Sequence, residues 1–265
     1  MNDADLKARL ELAVDAARRA GELTLQYFNR PDLLVERKRD GTPVTVADRQ
    51  AEEYLRCRIA AAFPDDAVLG EEMPERPGTS PFRWIVDPID GTKSFVHGVP
   101  LYGTLVGVEY DKQSVIGVVV LPALEEYVYA ARGQGAWWHL RGADKPRQAR
   151  VSQVDRLEEA TFCITSVGEF VRAGRLSVYD ELLGKCRLVR GWGDCFGYML
   201  VATGRAEIMI EPELSLWDVA ALLPILEEAG GTFTDWEGNP TIYSGEGVAT
   251  NGRLREKVLA ITRGK

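Results

Sequence analysis

Histidine is almost missing from these 265 residues: only His97 and His139 occur, too few for a histidine-rich metal centre. The four cysteines, Cys57, Cys163, Cys186 and Cys195, stand apart with no C-x-x-C spacing. They read as reduced, mostly structural thiols, not as a disulfide framework or a zinc site. No apolar run approaches the roughly 20 residues that span a bilayer. The first residues, MNDADLKARLELAVDAARRAGEL, place acids before the first lysine and hold no continuous apolar stretch. They do not read as a secretion signal, and a cytoplasmic location is expected. Basic charge is in deficit too, with 32 Lys and Arg against 40 Asp and Glu and a net charge of −8. That excludes general binding to nucleic acid or an anionic membrane, both of which need basic patches. An acidic balance suits a protein that gathers divalent cations, and equally one that its charge merely keeps soluble. Apolar content of 45% and charged content of 27% are those of a globular chain, which excludes disordered and fibrous classes.

Over residues 6–28 the apolar positions Leu6, Leu10, Ala13, Ala17 and Ala20 recur at threes and fours and predict a long amphipathic helix. Ala51, Leu55, Ile59 and Ala62 predict a second over 47–63. Between them, Asp40-Gly41 and Pro43 mark a hairpin. Runs of β-branched and aromatic residues at 83–86, 103–110, 114–121 and 126–131 predict a first sheet. The polar stretch 141–150 is the expected junction between an N-terminal half (1–145) and a C-terminal half (146–265) that form one compact unit. Beyond it, strands at 160–165, 188–190, 207–210 and 231–234 alternate with helices at 195–203 and 217–229, an α/β order.

Three acidic clusters interrupt this pattern: Gly70-Glu71-Glu72, Asp87-Pro88-Ile89-Asp90-Gly91-Thr92 and Trp217-Asp218. Singly, each is ordinary turn or cap chemistry. The middle one carries more. Asp87 ends the apolar strand Arg83-Trp84-Ile85-Val86, Pro88 stiffens the turn, and Gly91-Thr92 permits close backbone approach. Two acids three apart around such a turn can face one small volume. Hard cations such as Mg²⁺ take oxygen ligands, which makes Asp87, Asp90 and the Ile89 carbonyl candidate ligands. If Gly91-Thr92 opens a helix, its free N–H groups offer an anion site. A phosphate dianion enters such a cluster only if divalent cations neutralise it, so the constellation fits metals plus phosphate.

The runs G-E-E, W-I-V-D-P-I-D-G-T and L-W-D-V-A-A-L-L-P-I-L-E-E-A-G-G, with T-P-V-T-V-A-D-R over 42–49, resemble the motif set of the inositol monophosphatase superfamily, in order and across nearly the whole chain. The resemblance implies a five-layer α-β-α-β-α sandwich, α/β in class and usually a homodimer, which hydrolyses small-molecule phosphate monoesters. It implies that Glu71, Asp87 and the Ile89 carbonyl hold one Mg²⁺ and that Asp87, Asp90 and Asp218 hold a second. A third, weaker ion near Glu71 would make two to three per site. Asp48 with Thr92 is similar to the pair that activates the attacking water, with Glu71 beside them. Gly91 and Thr92 correspond to the phosphate-contacting amides.

Within the family, Lys93-Ser94-Phe95 after the phosphate motif differs from the T-N-F of inositol phosphatases, the K-E-F of adenosine-bisphosphate enzymes and the D-P-L-D-G-S-S of fructose-bisphosphatases. It resembles histidinol-phosphate phosphatases, as does Gly193-Asp194-Cys195-Phe196-Gly197-Tyr198. Histidinol carries an amine that is cationic at neutral pH, which Asp194 suits; the other reading makes Asp194 the cap of the helix after it. Glu211, seven residues before Asp218, matches a position that contacts the leaving alcohol, and Asp90 is expected to face it too. Trp192 either stacks on an imidazole or packs against protein. His97 is read as structural, His139 as surface or dimer contact, and Lys93 as phosphate contact or solvated. Two alternatives stand beside this reading: an inositol-1-monophosphatase or broad sugar-phosphate phosphatase, and a regulatory protein that keeps the fold without catalysis.

Overall fold

Helix α1 (Asp3–Thr24) turns Leu6, Ala13, Ala16, Ala17 and Ala20 to one buried face. Four alanines in that face let it lie close on the sheet beneath. In the computed structural model, which describes residues 2–264, strands β1 (Val35–Arg37) and β2 (Pro43–Thr45) pair as the hairpin expected around Asp40-Gly41. Helix α2 (Val46–Ala62) then packs beside α1. The first sheet follows in chain order: β3 (Ala67–Gly70), β4 (Phe82–Asp90), β5 (Gly103–Tyr110), β6 (Gln113–Leu121), β7 (Glu126–Ala131), β8 (Ala136–His139) and β9 (Arg147–Gln148). Only β3 and β4 run parallel. A short helix, α3 (Thr92–Val96), links β4 to β5.

The second sheet holds β10 (Thr161–Cys163), β11 (Leu188–Arg190), β12 (Ile208–Glu211), β13 (Thr232–Thr234) and β14 (Gly247–Thr250), in the order β11-β10-β12-β14-β13. Its helices are α4 (Val167–Arg172), α5 (Leu176–Lys185), α6 (Asp194–Ala202), α7 (Leu216–Val219), α8 (Leu222–Glu228) and α9 (Arg255–Thr262). Helices α1 and α2 cover the outer face of the first sheet, while α6 and α8 lie between the two sheets and touch both. On the far side Phe170, Val178, Leu182 and Val258 from α4, α5 and α9 meet Phe162 and Ile208. This is the expected five-layer α-β-α-β-α sandwich. Strands β5 and β6 are continuous apolar runs because helices cover them on both faces.

Two of these features depart from the sequence reading. The polar 141–150 stretch carries β9, an edge strand of the first sheet, so the chain passes between sheets over 149–160. The helix expected over 217–229 is broken into α7 and α8. Pro224 has no N–H for the Ala220 carbonyl four residues earlier, and Ser114 Oγ donates to that oxygen instead, at 2.5 Å. Gly107 and Gly117 make room for the break. A Cβ on Gly117 would stand 1.9 Å from Ala221 O, and one on Gly107 would stand 2.7 Å from Ala220 C. The joint therefore rests on the sheet, and α7 packs against β4 and β5, carrying Asp218 toward Asp87 and Asp90.

Candidate active site

The pairing of β4 with β5 slips between Asp87 and Asp90, where Pro88 interrupts the ladder. Ile89 N–H donates back to Asp87 Oδ1 at 3.0 Å, and Thr104 Oγ1 donates to Pro88 O at 2.8 Å. The turn is thus fixed by its own bonds. Asp87, Asp90 and Asp218 each present a carboxylate oxygen, all within 4.8 Å of one another. Asp218 Oδ2 accepts the Ser215 N–H at 2.7 Å, and Asp90 Oδ2 accepts the Cys195 N–H at 2.5 Å. Each acid has one oxygen held by backbone.

Burial pushes all three acids toward protonation. Asp87 lies well above the usual carboxylate range through burial and then the charges of Glu71 and Asp90. Asp90 does so through burial and then Asp194 and Asp218. Asp218 is pushed up to about 7 by burial, against the stabilising Ser215 amide. Three acids that resist ionisation side by side, all hard oxygen donors, are a fitting seat for a divalent cation of the Mg²⁺ type.

Glu71 stands beside this triad, where Lys38 Nζ donates to Glu71 Oε1 at 2.6 Å and to Glu72 Oε1 at 2.7 Å. Beneath that loop the buried Glu52 accepts the Glu72 N–H at 2.7 Å and the Met73 N–H at 3.1 Å. Asp48, the third residue of α2, accepts at Oδ2 from Thr45 N–H and Oγ1, at 2.8 and 2.6 Å. Its Oδ1 is buried without a partner, and burial pushes its carboxyl up to about 6. Thr92 Oγ1 donates to the Ile89 carbonyl at 3.1 Å and shares no direct hydrogen bond with Asp48. Gly91, left-handed at φ 82°, is the N-cap of α3, so the expected short helix does open at the phosphate motif.

Opposite these groups, a second wall completes a cleft of about 430 Å³. Asp194 does not cap α6: the N-cap is Gly193 with no side-chain bond, and Asp90 serves the helix end from across the cleft. Asp194 sits at a left-handed φ of 51°. Its N–H donates to Thr165 Oγ1 at 2.7 Å, and that hydroxyl donates in turn to Glu211 Oε1. A Cβ on Gly91 would lie 2.9 Å from Asp194 Oδ2, which sets this carboxylate against the phosphate motif. Burial raises Asp194 to about 6 and Glu211 well above its usual range.

Lys93 lines the cleft, whereas Trp192 does not. His97 Nδ1 is bonded to Lys93 O at 2.7 Å on the surface, and His139 stacks on Tyr127 at 4.7 Å. Tyr198, the last residue of the Gly193 to Tyr198 motif, also lines the site, as do Lys38, Thr165 and Glu169, which escape sequence reading. Of these three only Glu169 carries a local signal, three residues after Ser166, and that signal reads as a helix cap.

A carboxylate triad and an acidic wall thus face one cleft, with a glycine-opened helix beside them. The chain belongs to the inositol monophosphatase family, whose model matches residues 5–264. It is 45% identical over 258 residues to a histidinol-phosphatase of Chlorobaculum parvum, covering 97% of each chain. It is 42% identical over 254 residues to a histidinol-phosphatase of Streptomyces coelicolor, covering 94% of this chain and 95% of that one. The crystal structure of the extragenic suppressor protein suhB from Bartonella henselae superposes with a TM-score of 0.87 at 30% identity, over 97% of this chain and 98% of the other. The protein is a phosphoric monoester hydrolase. Among the described residues no helix is long and apolar enough to cross a membrane.

Proposed function

We propose that the protein is a Mg²⁺-dependent histidinol-phosphate phosphatase, which converts L-histidinol phosphate and water to L-histidinol and phosphate in histidine biosynthesis. The observation that carries this reading is Asp194, freed from capping and set against Gly91, where a cationic alcohol leaves a phosphate. The two histidinol-phosphatase relatives at 45% and 42% identity support it.

Glu71, Asp87 and the Ile89 carbonyl would hold one ion, and Asp87, Asp90 and Asp218 a second, with a third near Glu71. When bound, the ions supply the charge that lets a phosphate dianion approach, polarise its oxygens and lower the pKa of water. The Gly91 and Thr92 amides orient the phosphate. Asp48 Oδ1, the oxygen without a partner, takes the proton of the attacking water, and a carboxyl raised to about 6 suits a base working near neutrality. Thr92 aligns that water, while Asp90, Asp194 and Glu211 surround the leaving alcohol. The two halves, one built on each sheet, act as one unit because α6 and α8 pack on both sheets. Scattered free cysteines support a cytoplasmic enzyme, and the family resemblance supports a homodimer.

Asp194→Asn is expected to weaken L-histidinol binding, measured by calorimetry with Mg²⁺ and inorganic phosphate present, by about 10-fold or more, the worth of a hydrogen bond to a charged group. Undiminished binding counts against an amine contact at Asp194.

A further inference from the structure

Three Ser/Thr-x-x-Asp/Glu stretches begin helices around this cleft: Thr45 to Asp48, Ser166 to Glu169 and Ser215 to Asp218. By sequence all three are capping boxes, in which the acid reaches back to the N–H of the capping residue. Asp48 and Asp218 do so, at 2.8 and 2.7 Å. Glu169 does not: the Ser166 hydroxyl accepts the Gly168 N–H at 3.1 Å, and the carboxylate points away from the helix end into the cleft. Glu169 is only 8% exposed, yet its Oε2 has no hydrogen-bond partner. Arg172 grips Glu213 at 2.7 Å and stands 4.0 Å from Glu169 Oε1, and Lys93, whose charge also bears on Glu169, makes no hydrogen bond to Oε2. A carboxylate oxygen buried to this degree without a hydrogen bond, when a helix cap is within reach, is costly unless a ligand completes it.

Its place along the wall identifies that ligand. Asp194 lies against Gly91 and precedes Cys195, whose N–H is held by Asp90 of the triad, whereas Glu169 stands by Arg172 and Glu213, both exposed at the rim of the cleft. Asp194 is therefore next to the triad and Glu169 farther out. Histidinol phosphate has its amine on the carbon adjoining the ester carbon and its imidazole beyond. The amine falls to Asp194, and the ring reaches Glu169. Resting on the histidinol-phosphate reading, we propose that Glu169 determines specificity at the far end of the leaving group, its Oε2 accepting an N–H from the substrate's imidazole or imidazolium ring.

Glu169→Gln keeps the shape of the side chain and replaces half of its acceptor capacity with a donor. The test compares wild type and Glu169→Gln, with Mg²⁺ saturating, in the ratio of kcat/KM for L-histidinol phosphate to that for inositol 1-phosphate. The ratio is expected to fall about 10-fold or more, with the loss on histidinol phosphate carried by KM. The variant should melt at or above the wild-type temperature, because it removes a buried charge whose ion pair with Arg172 is 4.0 Å long. If the wild type prefers histidinol phosphate and the variant keeps the same ratio, Glu169 is not the contact, and the proposal fails alone. A wild type that favours inositol 1-phosphate overturns both this assignment and the reading it rests on. A lower melting temperature with equal losses on both esters would show a structural role and overturn it as well.

Discussion

Asp90→Asn is expected to lower turnover by about a thousandfold or more while the protein stays folded. The substitution keeps the volume and one oxygen for the Cys195 N–H, which the native carboxylate accepts at 2.5 Å. It removes one charge from a cluster in which Asp87, Asp90 and Asp218 lie within 4.8 Å. A cation held there contributes several kcal/mol to phosphoryl transfer, and roughly 4 kcal/mol corresponds to a thousandfold in rate. Without metal the same change relieves repulsion from Asp194 and Asp218, so the melting temperature should hold or rise. Activity within tenfold of wild type, at any Mg²⁺ concentration, would remove Asp90 from the metal site.

The second large effect is on stability against pH. Asp48 and Asp194 are raised to about 6 and Asp218 to about 7, from an ordinary value of 3.8. With folded pKa values above the unfolded ones, the native state binds more protons throughout that interval, and stability falls as pH rises through it. Metal-free protein should therefore lose stability between about pH 4 and 7, on the order of 1 kcal/mol per pH unit for each carboxylate forced to ionise. Saturating Mg²⁺ binds the ionised form and should flatten or reverse the slope. Melting curves in chelator and in Mg²⁺ across this range are the check. Parallel curves that differ by a constant offset would mean that these acids do not titrate with the cation site.

What was legible in the sequence was local. The Asp87 to Thr92 turn declares itself because Pro88, Gly91 and two acids three apart constrain one another within six residues. The element order follows from apolar periodicity and the layering from the family resemblance, and the buried runs at 103–110 and 114–121 mark the sheet that helices cover on both sides. Long-range partners were not legible. The break at Ala220 depends on Ser114, 106 residues away, so periodicity alone joined α7 to α8. Asp194 looked like a cap because the group that serves that helix end, Asp90, is 105 residues distant. Lys38 gave no sign of its bonds to Glu71 and Glu72. Glu169 was hidden by a motif that two neighbouring helices obey and its own does not. Short elements such as β3, β14 and α4 left too few residues for any period to emerge.

The most direct test of the central claim is phosphate release with Mg²⁺ present, measured side by side on L-histidinol phosphate, inositol 1-phosphate and adenosine 3′,5′-bisphosphate. A kcat/KM for histidinol phosphate that exceeds the other two by about 10-fold or more is the expected result, because only that leaving group is a cation able to meet the acidic wall. Equal or faster hydrolysis of inositol 1-phosphate would contradict it, and would leave the wall of Asp194, Glu211 and Glu169 without a part in choosing the substrate.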